Sequence, residues 1–207
     1  MLGLIVPAKL LYAQELYVNT EPASNMATRS LGIRLENQSY KNNGFKYRNT
    51  LEVMYGANKN LMLHAAGYVS DFNTPGQHFE GGSAYAKYRF LSVDTIQRHF
   101  RGAVFGKVST ISNPVINQEI SLEGDNSGLQ SGVISTQLIH KLAISGSASY
   151  IRAFDNRGGY NLPFGQAKDA VAYSLSAGYR TPLYSDMTRN SKNMFLLRLE
   201  YNLFNIF

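Results

Sequence analysis

The chain contains no cysteine and no tryptophan, and charged residues make up only 16% of its 207 positions. Without thiols there is no disulfide framework, no thiolate metal site and no Cys nucleophile, and the composition suits a compartment in which stray thiols would oxidise. Long apolar runs are missing too: nowhere do 18 or more apolar residues follow one another, which excludes a transmembrane helix. Lys and Arg outnumber Asp and Glu by 20 to 14, for a formal net charge of +6. The excess is scattered singly instead of forming a basic run or helix face, so nucleic acid is not an expected partner.

Aromatic residues are abundant, with 14 Tyr and 11 Phe, and the 44% hydrophobic content is far above that of a disordered chain. A mean hydropathy of −0.22 looks hydrophilic. In strands that alternate apolar and polar residues, however, that average hides a wholly apolar face. Such alternation recurs from Arg29 onward, broken by Asn, Gly, Asp and Pro clusters, whereas helical 3.6-residue spacing is hard to find. The pattern predicts strands at 29–38, 47–57, 61–70, 81–91, 99–110, 127–139, 142–152, 169–180 and 193–207, most near the ten residues that a tilted bilayer-crossing strand needs.

One side of these strands is uncharged: Leu31/Ile33/Leu35, Leu51/Val53/Tyr55, Leu61/Leu63/Ala65, Ala84/Ala86/Tyr88/Phe90, Leu142/Ile144/Ala148/Tyr150, Val171/Tyr173/Leu175/Ala177/Tyr179 and Phe195/Leu197/Leu199/Tyr201/Leu203. The other side carries Arg34, Glu36, Glu52, His64, Lys87, Arg89, Arg101, Lys107, Arg198 and Glu200, which become candidate lumen-lining residues, together with the serines 145, 147, 149, 174 and 176. A soluble sandwich alternates in the same way, so other features must choose the solvent of the apolar side. Tyr55, Tyr68, Tyr88, Phe90, Phe100, Tyr150, Tyr179 and Phe204 fall near predicted strand ends, as interfacial girdles do. Connections at Asn58-Lys59-Asn60 and His140-Lys141 are short, while 39–46, 71–80, 111–126 and 153–168 are long and polar, the expected contrast between periplasmic turns and outer loops. Finally, the last strand ends on Phe207. A hydrophobic terminal strand is an aggregation hazard on a soluble protein, and this one resembles the C-terminal signal read by the outer-membrane barrel-assembly machinery, although Asn205 departs from the ideal.

These observations predict an all-β, antiparallel up-and-down transmembrane β-barrel in the outer membrane of a Gram-negative cell, with outer-membrane lipid as its solvent. Residues 1–14 resemble the back half of a signal peptide, 15–28 form a periplasmic lead-in, and 29–207 form the barrel. Barrels made from one bacterial chain usually have an even strand number. Nine strands are visible, or ten if a segment such as 115–122 is a further one, and the alternation of loop lengths breaks at 181–192. Either one strand is uncounted, or an odd number is missing near Tyr179–Thr181.

The segments 15–26, 52–64 and 79–90 and the closing strand resemble outer-membrane proteins of the phenol-degradation channel family, often labelled transporters. The resemblance implies a barrel of about twelve strands, of which this chain would be an internally shortened form, and passive passage of a small solute. It is a likeness of strands and turns, with no catalytic residues to carry over.

No chemistry-bearing motif competes. His64, His78, His99 and His140 show neither i, i+2 nor i, i+4 spacing, no G-x-S-x-G accompanies the serines, and Gly124–Gly128 and Arg157–Gly159 are loop tips that precede no helix. His64 and Glu52 could meet across a hairpin, where a satisfied lumen hydrogen bond is the simpler reading than an acid/base pair. The expectation is therefore a passive channel or transporter with no catalytic centre, cofactor or metal. The alternative is a non-conducting structural or adhesive barrel whose loops 111–126 and 153–168 bind a partner. Arg34, Lys87, Arg89, Arg101, Lys107, Arg180 and Arg198 outnumber Glu36, Glu52 and Glu200 on the inward side, which predicts mild anion preference if a pore exists.

Overall fold

The computed structural model describes residues 22–179 apart from 42–43, 97, 116–119 and 141. Within them the chain forms eight strands: β1 (Leu31–Lys41), β2 (Phe45–Gly56), β3 (Leu61–Ser70), β4 (His78–Thr95), β5 (Arg98–Ile111), β6 (Ser127–Ile139), β7 (Leu142–Phe154) and β8 (Asp169–Tyr179), with no helix among the described residues. Each strand pairs antiparallel with the next in the order β1 to β8. The sheet curls into a half-barrel, so it has a concave and a convex face.

Pairing places the described part of the predicted uncharged set on the convex face, where Leu31, Ile33, Leu35, Leu51, Val53, Tyr55, Leu63, Tyr88, Phe90, Ile144, Val171 and Leu175 are exposed, and Val104 and Val133 join them. Cross-strand partners agree in type, with Ile33 beside Val53 and Leu35 beside Leu51. Among the described residues the charged positions on this face, Lys41, Arg98, Arg152 and Asp169, stand at or near strand ends. Aromatic residues bracket the apolar band: Phe45, Tyr47, Phe79, Tyr150 and Phe154 toward the end bearing the long loops, and Tyr55, Tyr88 and Phe90 toward the end bearing the short turns. The ten residues between Phe79 and Phe90 match the roughly 9–11 residues of a tilted membrane-crossing strand.

The short turns have local causes. Asn58 Oδ1 accepts the N–H groups of Asn60 and Leu61 at 2.8 and 2.9 Å, closing an Asx turn between β2 and β3. His140 takes the left-handed conformation, φ 54°, in the β6–β7 turn.

Three expectations are corrected. The segment 39–46 is not a long loop, because β1 and β2 continue through it in register to Lys41 and Phe45. Tyr68 is not at the interface: it shares the alternation parity of His64, faces the concave side and is 1% exposed. Of the 111–126 connection, residues 120–126 fold back over the concave side instead of projecting outward, as described below. Of the alternative extra strand at 115–122, residues 120–122 are not in a strand. The predicted segments 1–14 and 193–207, the residues Arg180, Arg198, Glu200 and Phe204, and the assembly signal at Phe207 lie outside the described residues.

Candidate functional site: the concave trough

Every described lumen candidate lies on the concave face. Arg34 Nη2 meets Glu52 Oε2 at 3.2 Å, and the other Glu52 oxygen meets His64 Nδ1 at 2.8 Å, so a row runs across β1, β2 and β3. The His64 ring lies 4.8 Å from that of Tyr85, which lies 5.5 Å from that of Phe105, extending the row across β4 and β5. Glu36 accepts from Gln38 Nε2 at 2.9 Å. Arg89 donates to the Lys59 carbonyl at 2.6 Å, Arg101 pairs with Asp94 at 3.5 Å, and Lys107 pairs with Glu123. Lys87 is fully buried and donates to the carbonyls of Pro22 and Ser24 at 2.8 and 2.9 Å.

The second half of the trough is different. Concave positions of β6, β7 and β8 carry small or uncharged side chains, joined by Thr136–Ser145 at 3.0 Å, Gln130–Ser149 at 2.9 Å and Ser147–Ser174 at 2.7 Å. These are hydrogen bonds of a satisfied wall, and they show no nucleophile with an adjacent base. Among the described residues no group of three or more His, Asp or Glu side chains is placed to hold a metal ion.

The most buried polar cluster was not among the candidates. Arg48 donates to Glu80 at 3.2 Å and to Asp125 at 2.7 Å, and also to the carbonyls of Glu123 and Gly124 at 3.2 and 3.3 Å. Its guanidinium lies 4.7 Å from the centre of the Phe72 ring. Glu80 accepts from Ser70 Oγ at 2.6 Å and is fully buried. Arg48 was legible in principle, since it shares the parity of Glu52. Glu80 has the opposite parity to Lys87 and turns inward only because a bulge opposite Tyr68/Val69 shifts the β3–β4 register. Gly81 permits the bulge: its φ is +144°, and an added Cβ would stand 2.1 Å from the Thr110 carbonyl oxygen.

This cluster holds residues 120–126 of the β5–β6 connection inside the trough at the long-loop end. Ile120 and Leu122 bury against Ile151, Ala153 and Ala170. The Tyr68 hydroxyl donates to the Leu122 carbonyl at 3.4 Å. At the root of the connection, Asn156 Nδ2 donates to the carbonyls of Asn113 and Asp125, both at 2.9 Å. With Ile120, Leu122, Asn113 and Asn126 all buried, much of this segment faces the chain itself.

The expected cationic bias also changes. Glu80, Asp94, Glu123 and Asp125 join Glu36 and Glu52 in the trough, and Arg34, Arg48, Arg101 and Lys107 each have an acidic partner. The sequence census missed these acids because Glu80 sits on a bulge, Asp94 lies beyond the predicted end of its strand at 91, and Glu123 and Asp125 sit on a folded-in connection. Comparison with protein-family models, with curated proteins and with solved structures finds no match for this chain.

Proposed function

We propose that the chain is an outer-membrane β-barrel of channel type, passing small solutes through its polar interior as the resemblance to the phenol-degradation channel family implies. The observation that carries this reading is the convex face, apolar and exposed, uncharged between its ends and bracketed by aromatic residues. In water a face of that extent would be an association hazard, whereas lipid is its natural solvent. The segment ending at Phe207 is the handle for barrel-assembly machinery in this reading. A closed wall requires partners for the outer edges of β1 and β8.

Near balance of charge in the trough favours weak ion selectivity over the anion preference expected from the sequence. The second reading, a non-conducting structural or adhesive barrel, gains from one observation: the trough is occupied by the β5–β6 connection. Its partner-binding surface would then rest on 155–168, where Phe164 and Tyr160 are exposed. Reconstitution into liposomes separates the two. The channel reading expects swelling in a small neutral sugar and a reversal potential close to zero across a salt gradient. Insertion with no solute flux supports the structural reading, and recovery of the chain as a detergent-free soluble monomer contradicts both.

A further inference from the structure

Residues 22–27 run across the concave face near the short-turn end, meeting successive strands in order. The Ala27 carbonyl lies over Gly56 at the end of β2, where an added Cβ would stand 2.2 Å from its oxygen. Next, the Met26 N–H points to Met62 Sδ on β3 at 3.4 Å. Ser24 and Pro22 give their carbonyls to Lys87 on β4, and Ser24 Oγ accepts from Arg101 on β5 at 2.9 Å. Ala23 donates its N–H to Thr136 on β6 at 3.0 Å and is fully buried with Ala103 and Ile134.

Six residues thus cross from β2 to β6. Along a flat sheet four strand spacings of about 4.8 Å exceed the reach of the roughly 3.4 Å per residue between Ala27 and Ala23. The crossing closes because the segment takes the shorter chord inside the curl. A chord inside a barrel lies across the path that a solute would follow. Its anchors are mainly polar: a fully buried ammonium on two carbonyls, a guanidinium on a hydroxyl and a backbone N–H on another hydroxyl. Such contacts hold a defined position yet can be exchanged for water with far less penalty than a packed apolar core. The joint to β1 is a defined turn, with Arg29 at φ 59° and its N–H bonded to the Gly56 carbonyl at 2.6 Å.

We propose that residues 22–27 form an internal gate that occludes the short-turn end of the trough, held shut by Lys87, Arg101 and Thr136, and that their release opens the conduit. This rests on the channel reading and adds its regulation. The gate is built from the chain itself and closes the end opposite the β5–β6 connection.

The chain has no cysteine, so one engineered pair forms one defined bridge. Ala23→Cys with Ala103→Cys joins two neighbours of the buried cluster. In planar bilayers the oxidised pair is expected to conduct least and to recover on reduction. Lys87→Met removes two charge-assisted hydrogen bonds, and Gly56→Ala pushes the Ala27 carbonyl away; each is expected to raise open probability by about tenfold or more. Trypsin resistance of the membrane-embedded portion shows that each variant has inserted and folded. Equal conductance of the oxidised and reduced pair, in a protein that conducts, overturns the gate while leaving the channel intact. Silence of every inserted form, Lys87→Met and Gly56→Ala included, overturns the channel reading and the gate with it.

Discussion

At the scale of single residues, Arg48 and Glu80 carry the largest electrostatic stake. Both side chains are almost wholly buried, at 4% and 0% exposed; Arg48 is the counter-charge of Glu80 and pairs with Asp125 as well. Removing Arg48 strands the Glu80 carboxylate in a poorly solvated place, a loss of about 3–5 kcal/mol, whereas removing Glu80 leaves Arg48 its 2.7 Å pair with Asp125. Arg48→Met is expected to lower unfolding stability by that order in urea titrations of the reconstituted protein, and Glu80→Gln by less, because Asp125 still faces the guanidinium. Exchanging both for apolar residues is expected to hurt less than the two single changes added together. An additive result in the double-mutant cycle would mean that the pair is not coupled. Arg48 also holds the Glu123 and Gly124 carbonyls, so Arg48→Met is expected to loosen the β5–β6 connection as well. The parity of Arg48 could have been read from the sequence beside Glu52. Glu80 could not, since a single bulged residue reverses every inside and outside assignment on one side of it.

At the scale of elements, strand identity was readable because period-2 alternation is a direct consequence of pleating. β3 and β6 have the bounds that the pattern predicted, and the apolar sides of β1, β2 and β4 face where expected. The connections were less legible. Polar composition marks 111–126 as a loop without saying which way it folds, and the deciding contacts come from Arg48, Tyr68 and Asn156, which are distant in sequence. The lead-in was legible only as a segment before β1; its place on the trough depends on the curl of the whole sheet. The convex face makes its own prediction. Leu51→Arg places a charge near the middle of β2, where the proposed lipid contact would make it cost about 2–4 kcal/mol. On a water-facing surface the same change would stay within about 0.5 kcal/mol. Unfolding titrations in bilayers measure the difference directly, and a neutral result would remove lipid from that face.

At the scale of the whole molecule, the sheet is a division of environments: charged and polar side chains on the concave side, apolar ones on the convex side, aromatic residues near both rims. A channel, a gate and an inward connection all depend on that division having lipid on one side and water on the other. Site-directed spin labelling tests it most directly, since single cysteines can be placed one at a time in a chain that has none. Labels at 50 through 55 of β2, in bilayers, are expected to alternate: Leu51, Val53 and Tyr55 accessible to dissolved oxygen and shielded from a water-soluble nickel complex, and Thr50, Glu52 and Met54 not. Uniform protection from both reagents along the strand, or nickel access at Leu51, Val53 and Tyr55, would contradict the account.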